Sequence, residues 1–521
     1  MSQKLVAEAI FIQAKRRMKK QWLVAFIVCA CIGILTYGYL MTNHFLTYDS
    51  MWNLYSDQDM ITSGRQFLMN ACSISSYYDL PWLNGVLAII YLSITSIFLV
   101  EIFDVKSYFS VALIGSLLVT FPSVISTFCY TYTVDGYMLA VLLITSAFWL
   151  TDKKKWGFIP GIVLLGISLG IYQAYLAFVM VLCILKLLLN IIEQQSWKTF
   201  FVKIGQYAAM GIGGYLLYVV SLNIMLAYKG EQLSGYQGTD KINGFELSKI
   251  PMGLKSAFMN FVDFARWENV LTTTDAMKFA AIFLLLLGAC IYVYLYIVKE
   301  CYRRPVSIVL ISILVAAIPF CATIVNVLSP DTYQHLLMRG AWSLFFIFVI
   351  VLVDKITVGK SVFGQTVRKF IVIAIFIVSS VLVFEFSKMA NIVGFNMQER
   401  YEKSYALSLR IVERLEETPG YEHGMKVAIL GGEPDEQIYP STDITTEDLS
   451  GYFGVDGDYF LNSTSKFATF MSHYLNVTIT TIDYEEEVKI TGTKEFNKME
   501  NFPSSESIRK IGDVWVVKLN G

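Results

Sequence analysis

The chain has 521 residues, of which 55% are apolar and only 16% charged, with a formal net charge of −1 and a mean hydropathy of +0.54. Soluble domains carry about 25% charged residues, so an ordinary soluble protein is excluded, and the near-zero net charge makes no case for nucleic-acid binding. The eight cysteines include no CxxC pair, and Cys29, Cys31, Cys183 and Cys290 lie inside apolar runs, which argues against a disulfide framework or a zinc site.

In chain order, a basic cluster (Lys15, Arg16, Arg17, Lys19, Lys20) comes first, followed by a long apolar run from Gln21 to Leu40. A secretory h-region is shorter and ends at a small-residue cleavage site, so this run is predicted to be a retained transmembrane helix behind a cytoplasmic tail at 1–20. Further apolar runs predict helices near 84–101, 108–126, 135–151, 157–171, 174–191, 203–228, 277–298, 306–328, 341–353 and 369–387. With the first at 21–42, that makes about eleven spans. Alternate short loops carry Lys106, then Lys153, Lys154 and Lys155, then Lys198 and Lys203, then Lys299, Arg303 and Arg304, then Lys355, Lys360, Arg368 and Lys369. The short loops on the opposite side are nearly free of basic residues, with Arg65 and Arg339 standing alone in theirs. The positive-inside rule therefore puts the N-terminus in the cytoplasm, and an odd number of spans puts the C-terminus outside.

The first outer loop is then 43–83, opening on "YDSMWNLYSDQDMITSGRQF", and a second, turn-rich one covers 229–275 with "SGYQGTDKING". In the first loop Phe67, Leu68, Ala71 and Ile74 make a stripe suited to a helix at the membrane surface. Residues 389–521 turn polar. "SYALSLRIVERL" reads as a helix and "KVAIL", "NVTITTI" and "VWVVKL" as strands, which predicts a small extracytoplasmic α/β domain. The fold class is thus a polytopic α-helical membrane protein, with a transmembrane domain at 21–388 and a C-terminal α/β domain.

The acids of the first loop are candidates for a general base acting on a hydroxyl. Asp49 is the first choice, since partial burial against Tyr48 and Trp52 would raise its pKa; a solvated loop that happens to hold acids is the plain alternative for Asp57 and Asp59. Asp135, entering a span in "FCYTYTVDGY", is a further acid, because a carboxylate there is costly unless paired or functional. Its neighbours Tyr130, Tyr132 and Tyr137 suit either sugar stacking or an aromatic belt.

These pieces together resemble GT-C glycosyltransferases, polytopic enzymes that use lipid-phosphate-linked sugars. More narrowly, "YDS…SGRQF" is similar to the acid-then-GRW pattern of bacterial Gtr type II glucosyltransferases, and "LGISLGIYQAYLAF" (Leu165–Phe178) looks like that family's GiYQ segment. The resemblance covers about 21–430. It departs where family members carry two adjacent acids, since Ser50 follows Asp49 here, and Gln66 replaces the tryptophan. Asp57 and Asp59 are then fallback acids.

What the resemblance implies is a bacterial plasma-membrane enzyme that moves a sugar, typically glucose, from an undecaprenyl phosphate carrier to a surface polysaccharide or its lipid-linked precursor. It implies no cofactor, and two partners in the same pathway: an enzyme that charges the carrier and a flippase. The donor phosphate needs a cradle. Arg65 is one candidate for it, its guanidinium fork fitting phosphate oxygens. In "PDTYQHLLMRGAW", Arg339 and His335 are others, four residues apart and on one face if helical. Arg339 pairing with Asp331, or snorkelling, is the alternative, and for His335 the alternative is a plain hydrogen-bonded structural role. Tyr172 and Gln173, at an outer turn, suit an interfacial belt; the resemblance implies that they line the sugar or headgroup site instead, with Tyr132 a further sugar-stacking candidate. No HExxH, clustered His/Cys or DxD motif points to a metal. A flippase or exporter of lipid-linked sugars and a polysaccharide polymerase are the other readings, although repeated halves of the transporter kind are missing.

Overall fold

A computed structural model describes residues 18–235, 249–266, 274–356, 362–439, 453–455 and 457–520. Most of the predicted turn-rich segment at 234–244, and the basic residues Lys15, Arg16, Arg17 and Lys360, lie outside these. The chain divides into two compact units: Met1–Thr42 with Ser56–Asn391, and Asn43–Tyr55 with Ile392–Gly521.

The helices are, in order, α1 (Lys20–Thr42), α2 (Ser50–Asn53), α3 (Leu68–Cys72), α4 (Pro81–Phe103), α5 (Tyr108–Thr120), α6 (Pro122–Phe128), α7 (Thr131–Lys153), α8 (Phe158–Ile171), α9 (Leu176–Ile192) and α10 (Trp197–Lys229). They continue with α11 (Ile250–Ala265), α12 (Asp275–Val298), α13 (Pro305–Ala322), α14 (Ile324–Leu328), α15 (Ser343–Asp354) and α16 (Val362–Glu416). Among the described residues nine helices are long and apolar enough to cross a membrane. They become ten if α5 and α6, bent by 45° at Phe121–Pro122, form one span. α8 is apolar but shorter. The protein is a multi-pass membrane protein, and each stretch predicted as a span overlaps an apolar helix, with nine or ten of full spanning length among the described residues against about eleven predicted.

Sequence sets the helix ends. Ser107 and Ser196 cap α5 and α10 by accepting from the amides of Ser110 and Thr199. Pro81, Pro122 and Pro305 begin helices where a missing N–H costs nothing. Packing in the first unit runs through small residues: Gly33 lies against Ile89 and Val119, and Gly115 against Cys29. α9 and α15 are the most enclosed helices, while α12 and α13 are mostly open, as expected where lipid is the neighbour. At one end of this unit the basic loops find acids. Lys19 pairs with Glu101 at 2.7 Å and Lys355 with Glu193 at 3.1 Å, and the Asp354 carboxylate accepts from the amides of Lys106 and Ser107.

The second unit is α/β. Its four strands, β1 (Lys426–Leu430), β2 (Thr480–Thr481), β3 (Ile508–Ile511) and β4 (Val514–Lys518), form one sheet in the order β2-β1-β4-β3. β1 runs parallel to both neighbours, and β3 pairs antiparallel with β4. "KVAIL" and "VWVVK" are therefore strands as predicted, while only Thr480–Thr481 of "NVTITTI" pairs. One core packs Leu407, Ile411, Phe467 and Phe470 with Leu46, Met51 and Leu54. The other gathers Ala428, Leu430, Val514 and Val516 with Ile490, Phe496 and Met499. The start of the first loop is thus an inner part of the C-terminal unit.

Candidate functional site

Two segments singled out in the sequence meet in the first unit. "SGRQF" forms a tight turn: the Arg65 amide donates to Met60 O at 3.1 Å, and Gly64 adopts φ +75°, a conformation glycine reaches without strain. The turn sits against "GIYQAY", the link between α8 and α9. The Phe67 amide donates to Gly170 O at 2.8 Å, and Gln173 Nε2 donates to Ser63 O at 3.0 Å. A Cβ added at Gly170 would stand 2.3 Å from the Phe67 ring, so only glycine permits this approach. From α10, Tyr218 donates its hydroxyl to Gly64 O at 3.2 Å.

Arg65 is held over this junction. Its Nη1 donates to the Tyr137 hydroxyl at 2.9 Å, and its guanidinium lies 5.0 Å from the Tyr172 ring centre, within cation–π range. Tyr137 and Tyr172 are stacked at 4.5 Å and 19°, and Tyr175 meets Tyr172 edge-on at 5.3 Å. Tyr137 of α7 and Tyr172 of the α8–α9 link thus carry one guanidinium, and Tyr175 backs the second ring. Gln66 is buried and donates to Ser221 Oγ and Tyr218 O. It fastens the turn to α10.

A second cation lies on a segment that packs against the same Gln173–Tyr175 link. Arg339 lies in a 3-10 helix, Leu336–Trp342. Its Nε donates to Gln334 O at 3.2 Å and its Nη2 to Asn260 Oδ1 at 3.3 Å, while the Phe264 ring lies 4.4 Å away. His335 precedes this helix and the backbone kinks at Arg339 (φ −93°, ψ 21°), so no continuous helix face joins the two residues. His335 caps this helix instead, accepting the Leu337 amide on Nδ1 at 3.4 Å. Burial, and then the Arg339 charge, push its imidazole down to about 4. His335 is therefore neutral near pH 7.

The acids fall in different places. Asp135 is 1% exposed in the second turn of α7, its carboxyl next to the Ser75 hydroxyl and the Gly136 amide. Asp57 and Asp59 are exposed; Asp57 accepts the Asp59 amide at 3.1 Å, and Asp59 pairs with Lys229. Asp49 belongs to the second unit and is exposed just before α2. The predicted burial against Tyr48 and Trp52 does not occur, because those rings are themselves exposed. Tyr132 is buried with its ring edge-on to Tyr130 at 6.4 Å, away from open solvent.

Residues 38–378 match the family described as glucosyl transferase GtrII. That is well over half of the chain, and it contains both segments that meet at Arg65. The chain belongs to the glucosyl transferase GtrII family. No curated protein matches it, and no solved structure does. The GtrII family makes the chain a glycosyltransferase in the membrane.

In this GtrII-family chain the surface helix predicted across Phe67–Ile74 takes another form. α3 spans only Leu68–Cys72, and Leu68 and Ala71 are buried against Gly136 of α7. Ile74 alone remains outward, at 57% exposure. The apolar stripe is real, and protein covers it. Sequence reasoning missed Tyr175, Tyr218 and Lys229, which look like ordinary span residues until their partners are known. It also missed Lys466, a lysine 1% exposed in the second unit whose Nζ lies over the Tyr48 ring. No sequence signal separates it from the other lysines.

Proposed function

We propose that this GtrII-family protein transfers a sugar, glucose by the family's description, from a polyprenyl phosphate carrier to a hydroxyl of a surface polysaccharide or its lipid-linked precursor. The site faces outward from a bacterial plasma membrane, with the N-terminus in the cytoplasm and the C-terminal α/β domain outside. A carrier-charging glycosyltransferase and a flippase supply the donor. No cofactor takes part.

The observation that carries this reading is the Arg65 cluster. A guanidinium presented on stacked tyrosines beside a glycine-tightened turn is suited to bind a phosphodiester, and its aromatic setting is suited to a sugar face. In the proposed reaction Asp49 takes the proton of the acceptor hydroxyl. The freed oxygen attacks the anomeric carbon, and the bond from that carbon to the phosphate oxygen breaks with its electron pair on the phosphate. The products are an inverted glycoside, polyprenyl phosphate and a protonated Asp49. Arg65 and Arg339 meet the charge that grows on the phosphate, His335 donates its N–H to it, and Gln173 with Tyr172 orients the sugar. Asp57, Asp59 and Asp135 are the fallback bases.

The test is sugar transfer by the purified full chain from polyprenyl-phosphate glucose to envelope polysaccharide, wild type beside Asp49→Asn. The amide keeps the shape and removes the base, so turnover is expected to fall at least 100-fold while donor binding persists. Undiminished turnover moves the base to Asp57, Asp59 or Asp135. Absence of transfer by the wild type with several donor sugars overturns the reading.

A further inference from the structure

The second unit carries an aromatic face that the proposed chemistry leaves unused. Tyr48, Trp52 and Tyr55 are 45%, 57% and 66% exposed, and their spacing of four and three residues puts them on one side of the α2 turn. The opposite side holds Leu46, Met51 and Leu54 in the core of the unit, so this stripe is anchored from beneath. Lys466 of α17 (Thr464–Phe470) reinforces it. Its Nζ lies over the Tyr48 ring and 5.9 Å from the Trp52 ring, and it has no hydrogen-bond partner among the described residues. At the far end, Tyr55 meets the ring of His473 at 5.2 Å. Asp49 lies exposed beside Tyr48.

Three exposed rings on a rigid base, with a carboxylate at the edge, match a chain of sugars. Aromatic faces take the C–H faces of pyranose rings, and a carboxylate accepts from their hydroxyls. A lipid surface fits less well, since an anionic headgroup layer would meet the exposed Asp49 carboxylate, and α2 itself carries no basic residue. Resting on the glycosyltransfer reading above, we infer that the Tyr48–Trp52–Tyr55 face is the acceptor subsite, holding a neutral oligosaccharide with one hydroxyl at Asp49. Lys466 is a positioning residue that fixes the first two rings from behind.

The experiment uses the full chain in detergent and, as probe, oligosaccharides cut from the envelope polysaccharide of the cell that makes the protein. Binding is measured by calorimetry for wild type, Trp52→Ala, Tyr55→Ala and Lys466→Met. Trp52→Ala and Tyr55→Ala are each expected to weaken binding about tenfold, since each removes one of the three stacking faces, and to raise the acceptor KM in step while the donor KM holds. Lys466→Met is expected to weaken binding less and to broaden the Trp52 fluorescence. Tyr55→Ala keeps the question answerable if Trp52→Ala does not fold. Oligosaccharide binding unchanged in both ring variants overturns the inference even if glucose transfer proceeds. Quenching of the Trp52 fluorescence (wild type minus Trp52→Phe) by brominated lipid in a bilayer also overturns it, because the rings then belong to the membrane. Ring-dependent binding by a wild type that transfers no sugar leaves the subsite standing and removes the transfer reading instead.

Discussion

At the residue scale, the proposed chemistry depends on how the half-buried Arg65 is held. Arg65 has both a hydrogen bond to Tyr137 and a ring beneath it. A lysine can keep the charge but neither the fork nor the stacking. Arg65→Lys is therefore expected to raise the donor KM about 10- to 100-fold, read from initial rates against polyprenyl-phosphate glucose. Lys466 shows the opposite situation, a cation in an enclosed place. Burial pushes its ammonium down to about 7 from an ordinary 10.5, and the Asp49 charge limits the fall. Between those two values the unfolded chain binds the proton that the folded chain has lost, so stability rises with pH across that window. Thermal unfolding of the second unit, followed by near-UV circular dichroism, is expected to shift upward from pH 7 to pH 9.5. The shift should shrink in Lys466→Met, which is also expected to be the more stable protein at pH 6.5.

At the element scale, the meeting of two short segments depends on one missing side chain. Gly170→Ala would drive a methyl into the Phe67 ring, and overpacking of this kind costs about 1–3 kcal/mol. The expected result is a lower unfolding temperature together with a loss of transfer exceeding the loss of folded protein, because the Arg65 turn moves with Phe67. The apolar runs of the spans were legible in the sequence, since lipid and helix interior both demand them. "SGRQF" and "GIYQA" were legible as separate motifs, yet nothing in either shows that Gln173 reaches Ser63 O. The stripe at Phe67–Ala71 showed its periodicity but not what covers it, because a lipid surface and the flank of α7 ask for the same residues. The 3-10 form of Leu336–Trp342 was likewise hidden: its composition is that of an α-helix, and tertiary packing sets its pitch.

At the scale of the whole molecule, the α/β character of the C-terminal region was legible from "KVAIL" and "VWVVKL", while its true boundary was not. Leu46, Met51 and Leu54 look like loop residues in sequence and are 0%, 3% and 5% exposed in the core of the second unit. Leu46→Ala is expected to destabilise that unit by about 2–5 kcal/mol, seen as faster protease cleavage within 392–520 and little change in the helices of the first unit. A random-loop role for 43–55 would leave cleavage unaltered.

That shared core also imposes an order on biosynthesis. Asn43–Tyr55 leaves the ribosome early, but its partners follow only after all of Ser56–Asn391. At roughly 5–20 residues per second the segment waits tens of seconds with Leu46, Met51 and Leu54 uncovered. During that interval it is a natural client for a holding chaperone on its own side of the membrane, and a ribosome stalled anywhere before β4 leaves it as an exposed greasy hook rather than a folded loop.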